Sequence, residues 1–496
     1  MLLALSFPKY GHPAFAWIAL TPLVVCAWRA TSRRQAFLLG LLAGGMYFWG
    51  TLYWLIETMT TFGGLSVVTA VFAAFLLVAY LALFPAAFTI ALAVVRVRLG
   101  AGALALAAPI WVTSELGRQY VWDGFPWALL GYSQVTVLPV VQVASVVGVY
   151  GLSGLLAFAA AAVAAPALLT GRARIAYPAA AALLMAGCIG WGYARLADPV
   201  LLAAGDPVKV AVIQGNIEQE DKWNPALRDA ITDRYLSMTR EALAAGATFI
   251  IWPESSTPFY FEHDLIRGGA IRRLAAESGA TLLIGSDQVE PVRASGEVDR
   301  GQARYYNAAF LVRPDGQVGG VYRKMQLVPF GEYVPLQRLL FFVGPIVEAV
   351  SAFTPGEEPA LLPVGDHVAS TAICYEVIFP SLIRRFVVDG SQLLTTITND
   401  AWYGRSSAAY QHWEQAAMRS VEQGRYLARA ANTGISGFVD PYGQVLEKTD
   451  LFHEAVLIGD LRFITQRTIY SRIGDLFAWL SLAVTIAALA ASFRLR

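Results

Sequence analysis

The stretch Thr248-Phe-Ile-Ile-Trp-Pro-Glu254 reads as a short buried strand that stops at a proline and hands over at once to a carboxylate. Pro253 fixes its own φ and ends the strand there. Strands and helices alternate outward from this point: 209–217 is β-rich, 225–243 is helical by spacing, 265–277 is a second helix and 281–286 a second buried strand. Later strands are expected at 368–374, 392–397 and 437–439. The alternation predicts one α/β domain of about 260 residues, near the upper end of the range for a single domain.

Both flanks of this segment are apolar. Runs at 13–29, 36–56, 175–194 and 474–493 approach the roughly 20 residues that span a bilayer. Those at 65–95 and 138–169 exceed it, and 101–118 is borderline because Glu115 and Arg118 enter its last turn. Charged residues make up only 15% of the chain and hydrophobic residues 56%, so the apolar excess belongs in lipid. The reading is 1–198 as an N-terminal membrane domain of six or seven spans, 199–472 as the catalytic domain and 473–496 as a C-terminal membrane helix. Arg29, Arg33, Arg34, Arg96, Arg98, Arg172, Arg174, Arg494 and Arg496 mark cytoplasmic loops and ends, whereas 57–64 and 119–136 contain no Lys or Arg. The α/β domain then lies on the outer face; Arg195 is the lone exception to the pattern. Residues 1–7 lack the basic stretch and cleavage site of a signal peptide. They are either the remnant of a shortened first helix or a sign that the start lies upstream.

A net charge of +1 gives no field for nucleic acid. Of three cysteines, Cys26 and Cys188 lie in apolar runs, and Cys374, in Thr-Ala-Ile-Cys-Tyr-Glu376, ends a strand before a helix-like run from Ser381, where a thiolate is favoured. None of the five histidines completes a Cys and His signature, and no Cys or His pair has zinc-ligand spacing. Lys324 sits in an irregular stretch rich in Pro, Gly and aromatics, with Glu332 eight residues on. Taken singly, each residue has a plainer reading: a cap or loop carboxylate for Glu254, a surface ammonium for Lys324, a structural thiol for Cys374.

Together they resemble a known pattern. Trp-Pro-Glu254, then Arg-Lys324 with Val-Pro-Phe-Gly-Glu332, then Ile-Cys374-Tyr-Glu376, at spacings of 70 and 50 residues, resemble the carbon-nitrogen hydrolase (nitrilase) superfamily and its Glu, Lys and Cys triad. Set between membrane spans, the layout is similar to the apolipoprotein N-acyltransferase family. The likeness also takes in Val212-Ile-Gln-Gly-Asn216 with Trp223, Tyr306-Asn307, Thr398-Asn-Asp-Ala-Trp-Tyr-Gly404, Gln411-His412 and Asn432-Thr-Gly-Ile435. In the apolar part it takes in Thr61-Phe-Gly-Gly64 and Gly124-Phe-Pro-Trp-Ala-Leu-Leu-Gly-Tyr-Ser133.

This resemblance implies an αββα sandwich inserted between polytopic transmembrane helices, eight in the family and seven of them before the sandwich. It implies Glu254 as base, Lys324 as oxyanion donor and Cys374 as nucleophile, with Glu332 and Glu376 in support and Trp223 and Tyr375 binding lipid or holding the site. The acyl donor would be a phospholipid, through sn-1 of phosphatidylethanolamine. The acceptor would be the amine of a diacylglyceryl-cysteine on a lipoprotein, with no metal or cofactor. A monomer in the bacterial cytoplasmic (inner) membrane is expected, its catalytic domain periplasmic. Phe341, Phe342, Val343, Ile346, Trp402 and Tyr403 are candidates to screen a thioester from water, with ordinary core packing the plainer reading. Two other functions remain open: a tethered amidase acting on a small soluble amide, and a non-catalytic transporter or lipid scaffold.

Overall fold

The computed structural model describes residues 1–294, 297–329, 331–333 and 353–493; Phe341, Phe342, Val343, Ile346, Arg494 and Arg496 lie outside them. The chain divides into a helical unit, Met1–Pro199 with Ser406–Glu422 and Arg467–Arg496, and a sheet unit, Val200–Arg405 with Gln423–Gln466.

In the helical unit, five helices among the described residues are long and apolar enough to cross a membrane: Arg33–Leu52, Val67–Leu104, Ala144–Leu168, Ala173–Ala203 and Leu476–Phe493. Four of these precede the sheet unit, where six or seven spans are expected. Two other apolar runs fold as shorter helices. Pro13–Arg29 is interrupted at Leu20 and restarts with Pro22 in the first turn, where a missing N–H is tolerated. Ala107–Tyr120 has 14 residues, about 21 Å of helix against a hydrocarbon core of about 30 Å. Its Glu115 and Arg118 form a buried pair at 3.6 Å. Glu115 accepts the N–H of Leu130 at 2.8 Å and Arg118 donates to the Trp127 carbonyl at 3.0 Å. The two charges therefore pin the stretch 124–133 rather than line a path.

Small residues let these helices touch. A Cβ on Gly40 would lie 2.2 Å from Thr89 Oγ1, and one on Gly44 2.8 Å from Ala82 Cα. This GxxxG spacing brings two backbones into van der Waals contact where lipid supplies no hydrophobic drive. Helix Ala408–Gln423, encoded between two strands, packs in this unit. Trp127 Nε1 donates to Gln411 Oε1 at 2.8 Å and its ring stacks on His412 at 5.7 Å. Arg419 pairs with Glu422 at 2.8 Å and donates to the Tyr132 hydroxyl at 2.7 Å, while Glu422 accepts the N–H of Val149 at 2.8 Å.

The sheet unit has twelve strands among the described residues: β1 (Asp206–Gln214), β2 (Phe249–Ile251), β3 (Thr281–Ala294), β4 (Glu297–Val312), β5 (Val318–Arg323), β6 (Leu362–Val364), β7 (His367–Ile373), β8 (Leu393–Thr398), β9 (Leu427–Ala431), β10 (Gly437–Val439), β11 (Val445–Lys448) and β12 (Ala455–Phe463). They form two six-stranded sheets, β12-β1-β2-β3-β4-β5 and β11-β10-β9-β8-β7-β6. Each has a parallel centre, β1-β2-β3 and β7-β8-β9, extended by antiparallel strands. Helices Arg228–Ala244 and Arg267–Ser278 cover one face of the first sheet through Ile231, Tyr235, Ile271 and Leu274 on Ile213, Ile250, Leu282 and Phe310. The other faces meet, β1 against β9 and β4 against β7. Helix Pro380–Asp389 makes the crossover from β7 to β8 that a parallel pair requires. This is the αββα class.

Gly285 on β3 has a particular duty. A Cβ there would lie 2.1 Å from the Pro253 carbonyl oxygen and 2.7 Å from Glu254 Cα. Only hydrogen leaves room for the turn after β2. Gly285→Ala is expected to push that turn away and cost about 1–3 kcal/mol of stability, read as a lowered melting temperature of the purified protein, with activity falling further than stability.

Candidate active site

Glu254, Lys324 and Cys374 all stand just beyond the ends of strands. Cys374 directly follows β7, Lys324 directly follows β5, and Glu254 comes three residues after β2. The side-chain oxygens of Glu254 are fully engaged: Oε1 accepts from Asn307 Nδ2 at 2.7 Å and from Lys324 Nζ at 3.3 Å, and Oε2 accepts the N–H of Asn399 at 2.9 Å. Lys324 is 1% exposed. Its ammonium lies 2.8 Å from Glu332 Oε1, and Glu332 in turn accepts from Asn307 Nδ2 at 2.9 Å and from the N–H of Val328 at 2.8 Å. One carboxamide thus bridges two carboxylates that share one ammonium.

Cys374 is buried and takes a left-handed backbone conformation, φ +53. For a residue with a Cβ this costs about 1–2 kcal/mol, and the turn is held by Glu376. The Glu376 carboxylate accepts the N–H of Ile373 at 2.7 Å, the Tyr322 hydroxyl at 2.7 Å, and the N–H groups of Met325 at 2.6 Å and Gln326 at 3.1 Å. A single side chain therefore ties the Cys374 turn to the loop that carries Lys324. Tyr375 is buried with its ring edge-on to Phe379 at 5.2 Å. Trp223 and Trp402 are exposed and Tyr403 is half-buried.

Two sequence profiles divide the chain between them. Residues 209–469 match the carbon-nitrogen hydrolase family and residues 1–162 match the apolipoprotein N-acyltransferase N-terminal domain. An apolipoprotein N-acyltransferase of Geobacter metallireducens is 41% identical over 100% of this chain and 94% of its own length. One of Methylococcus capsulatus is 33% identical over 96% and 91%. The chain belongs to the apolipoprotein N-acyltransferase family. Among solved structures, an amidase of the nitrilase superfamily from Nesterenkonia aligns over 55% of this chain and 97% of its own, at 21% identity and a TM-score of 0.41.

The electrostatics of this family member's site divide the roles. Burial opposes the charge of Glu254, but Lys324, Asn307, Lys222 and the Asn399 N–H together hold its carboxyl below the usual range. Burial likewise opposes the charge of Lys324, and Glu332 and Glu254 overcome it, keeping the amine protonated. Burial, then the Glu254 charge, pushes the Cys374 thiol up to about 12 against the pull of Lys324. This corrects the expectation of a thiolate favoured by a helix N-terminus. Cys374 opens a five-residue 3₁₀ turn, and the α-helix begins only at Pro380. The electrostatics thus favour a thiol at Cys374 together with an ionised carboxylate at Glu254.

The sequence reading assigned no role to Asn307 or to Lys222, the latter 4% exposed with Nζ 3.1 Å from the Glu254 carbonyl oxygen. Asn307 stands at the head of the apolar run Ala308 to Val312, where a lone amide reads as a strand residue. Lys222 stands in an acidic loop, Glu218 to Asp221, where an ammonium reads as solvated.

Because the thiol stays protonated through the neutral range, alkylation of Cys374 by iodoacetamide should rise roughly tenfold per pH unit from 7 to 10 with no plateau. A plateau near neutrality would mean a preformed thiolate. Glu376→Gln turns an amide N–H towards donors that need acceptors. It is expected to cost about 1–3 kcal/mol, seen as a lowered melting temperature, with activity lost as the Cys374 turn and the Lys324 loop come apart.

Proposed function

We propose that the protein moves a fatty acyl chain from a phospholipid, through a thioester on Cys374, to the N-terminal amine of a diacylglyceryl-cysteine on an apolipoprotein. The observation that carries this reading is the buried cluster in which Glu254 Oε1 accepts from Lys324 Nζ at 3.3 Å and both charges act on the buried Cys374 thiol, within a chain of the family whose relatives are named apolipoprotein N-acyltransferases. In the first half reaction Glu254 takes the Cys374 proton as sulfur attacks the sn-1 ester carbonyl, with phosphatidylethanolamine as the donor. Lys324 and the Tyr375 N–H stabilise the oxyanion, a contribution of about 3–4 kcal/mol per donor. The C–O bond breaks, Glu254 returns the proton to the departing lysophospholipid oxygen, and the S-acyl enzyme remains. In the second half the lipoprotein amine attacks the thioester, Glu254 accepts a proton from the attacking nitrogen, the C–S bond breaks and the thiol re-forms.

Orientation is part of the proposal. The Arg-marked loops favour the cytoplasm, which puts the sheet unit on the periplasmic face of the inner membrane, where exposed Trp223 and Trp402 meet lipid. A monomer suffices, since every triad residue comes from one chain. The tethered amidase reading shares the triad but leaves a frame of five long apolar helices without a use.

Intact-mass analysis with phosphatidylethanolamine, before and after adding a diacylated peptide, tests the reading. The protein should gain one acyl mass at Cys374 and pass it to the peptide amine, and Cys374→Ala should gain none. Ammonia released from small amides without an adduct would instead establish the amidase. Lys324→Met should slow acyl-adduct formation by about 10²–10³-fold.

A further inference from the structure

Lys222 is a buried charged side chain against the Glu254 turn that the mechanism above leaves without work. Its surroundings are specific. Glu254 is followed by Ser255 in a left-handed conformation, φ +42, a strained peptide for a residue with a side chain. Two groups grip that peptide: Lys222 Nζ donates to the Glu254 carbonyl at 3.1 Å, and Ser255 Oγ donates to Asp287 Oδ1 at 2.9 Å. The same loop holds on at a second point, where Asn399 Nδ2 donates to Gln219 Oε1 at 2.7 Å while the Asn399 N–H binds Glu254 Oε2 at 2.9 Å. Lys222 is 4% exposed, whereas its neighbour Trp223 is 47% exposed. The loop thus presents an aromatic outward and an ammonium inward, onto the base.

We infer that Lys222 is a positioning residue: it fixes the Glu254–Ser255 turn so that the carboxylate faces Lys324 and Asn399, and it supplies a second positive charge that offsets the Cys374 thiolate as it forms. The inference rests on the reading of Glu254 as base and Cys374 as nucleophile. A main-chain carbonyl that loses its buried donor swings, and a base misplaced by about 1 Å costs on the order of 10² in rate. The charge acts alongside. Glu254, Asp287 and Cys374 face Lys222; Lys324 and Glu332 stand behind Glu254, and Asp400 and Tyr403 lie near Cys374. Burial lowers the Lys222 amine to about 8 against the pull of these acids. Its charge is therefore present at neutral pH and fades above that value.

The test compares wild type, Lys222→Met and Lys222→Arg, each full length in detergent, by two readouts. The first is the rate of acyl-adduct formation from phosphatidylethanolamine. Lys222→Met should lower kcat about 10²-fold with KM within about threefold, and Lys222→Arg, which keeps a donor and a charge, should recover about tenfold of the loss. The second is iodoacetamide alkylation of Cys374 from pH 6 to 10, which needs no lipid. Lys222→Met should react more slowly than wild type below pH 8 and converge with it above. Rates within twofold of wild type in both assays overturn the inference, as does a deficit equal at every pH and shared by Lys222→Arg. If wild type forms no acyl adduct, the acyltransferase reading fails separately, and the alkylation profile still decides the role of Lys222.

Discussion

A lysine ammonium taken out of water must be surrounded, and Lys324 is surrounded by Glu332 at 2.8 Å and Glu254 at 3.3 Å. Removing two charges from water costs several kcal/mol per ion, recovered only when geometry and further hydrogen bonds are good. The architecture meets that demand with successive strands. β4 supplies Asn307, which bridges the two carboxylates, β5 supplies Lys324, and the loop after β5 returns Glu332. One ammonium cannot neutralise two carboxylates. Burial, and then the charge of Glu254, keep the neighbouring Cys374 thiol protonated, so its reaction on the proposed route depends on proton transfer rather than on a standing thiolate.

The ends of the strands carry the strain that this arrangement needs. Asn216, Ser255 and Cys374, after β1, β2 and β7, all have positive φ, at about 1–3 kcal/mol each. Hydrogen bonds between the two sheets offset it. Asn432 donates to the Ile217 carbonyl at 2.7 Å and to Asn399 Oδ1 at 3.0 Å, and it accepts the Ile217 N–H at 3.0 Å. Arg429 and Asp400, fully buried and 2.8 Å apart, brace the same region, and the Asp400 charge reaches Cys374. Glu254, Lys324 and Cys374 are buried in this network, whereas Trp223 and Trp402 are exposed.

Much of this was legible in the chain. The central strands announce themselves because a strand buried on both faces is a continuous apolar run, as in Phe249 to Trp252. The antiparallel strands do not. β4 includes Glu297, Asp299, Arg300 and Arg304, and its pairing with β3 is set across space rather than by local composition, so Tyr306-Asn307 was readable as part of the family pattern but its bond to Glu254 was not. The triad was readable only as a set, by order and surroundings, since each member alone has a commoner explanation. Apolar runs were found reliably and their lengths were not. Composition does not reveal an interruption at Leu20 or a kink at Gly148 with φ +68. A helix-like run suggested a dipole favouring the Cys374 thiolate, whereas burial and then the Glu254 charge push its thiol up, and a 3₁₀ turn separates it from the helix at Pro380.

Helix Ala408–Gln423 interrupts the second sheet between β8 and β9, yet it finds its partners Trp127, Tyr132 and Val149 in the helical unit. A gene fragment cut at 199 and 472 would carry Arg419 and Glu422 without Tyr132 and the Val149 N–H that satisfy them. The two units therefore do not form cassettes that recombination can exchange at a single junction. A chimera between relatives keeps these contacts only by inheriting 406–422 together with 124–153, although the two segments lie far apart in the gene.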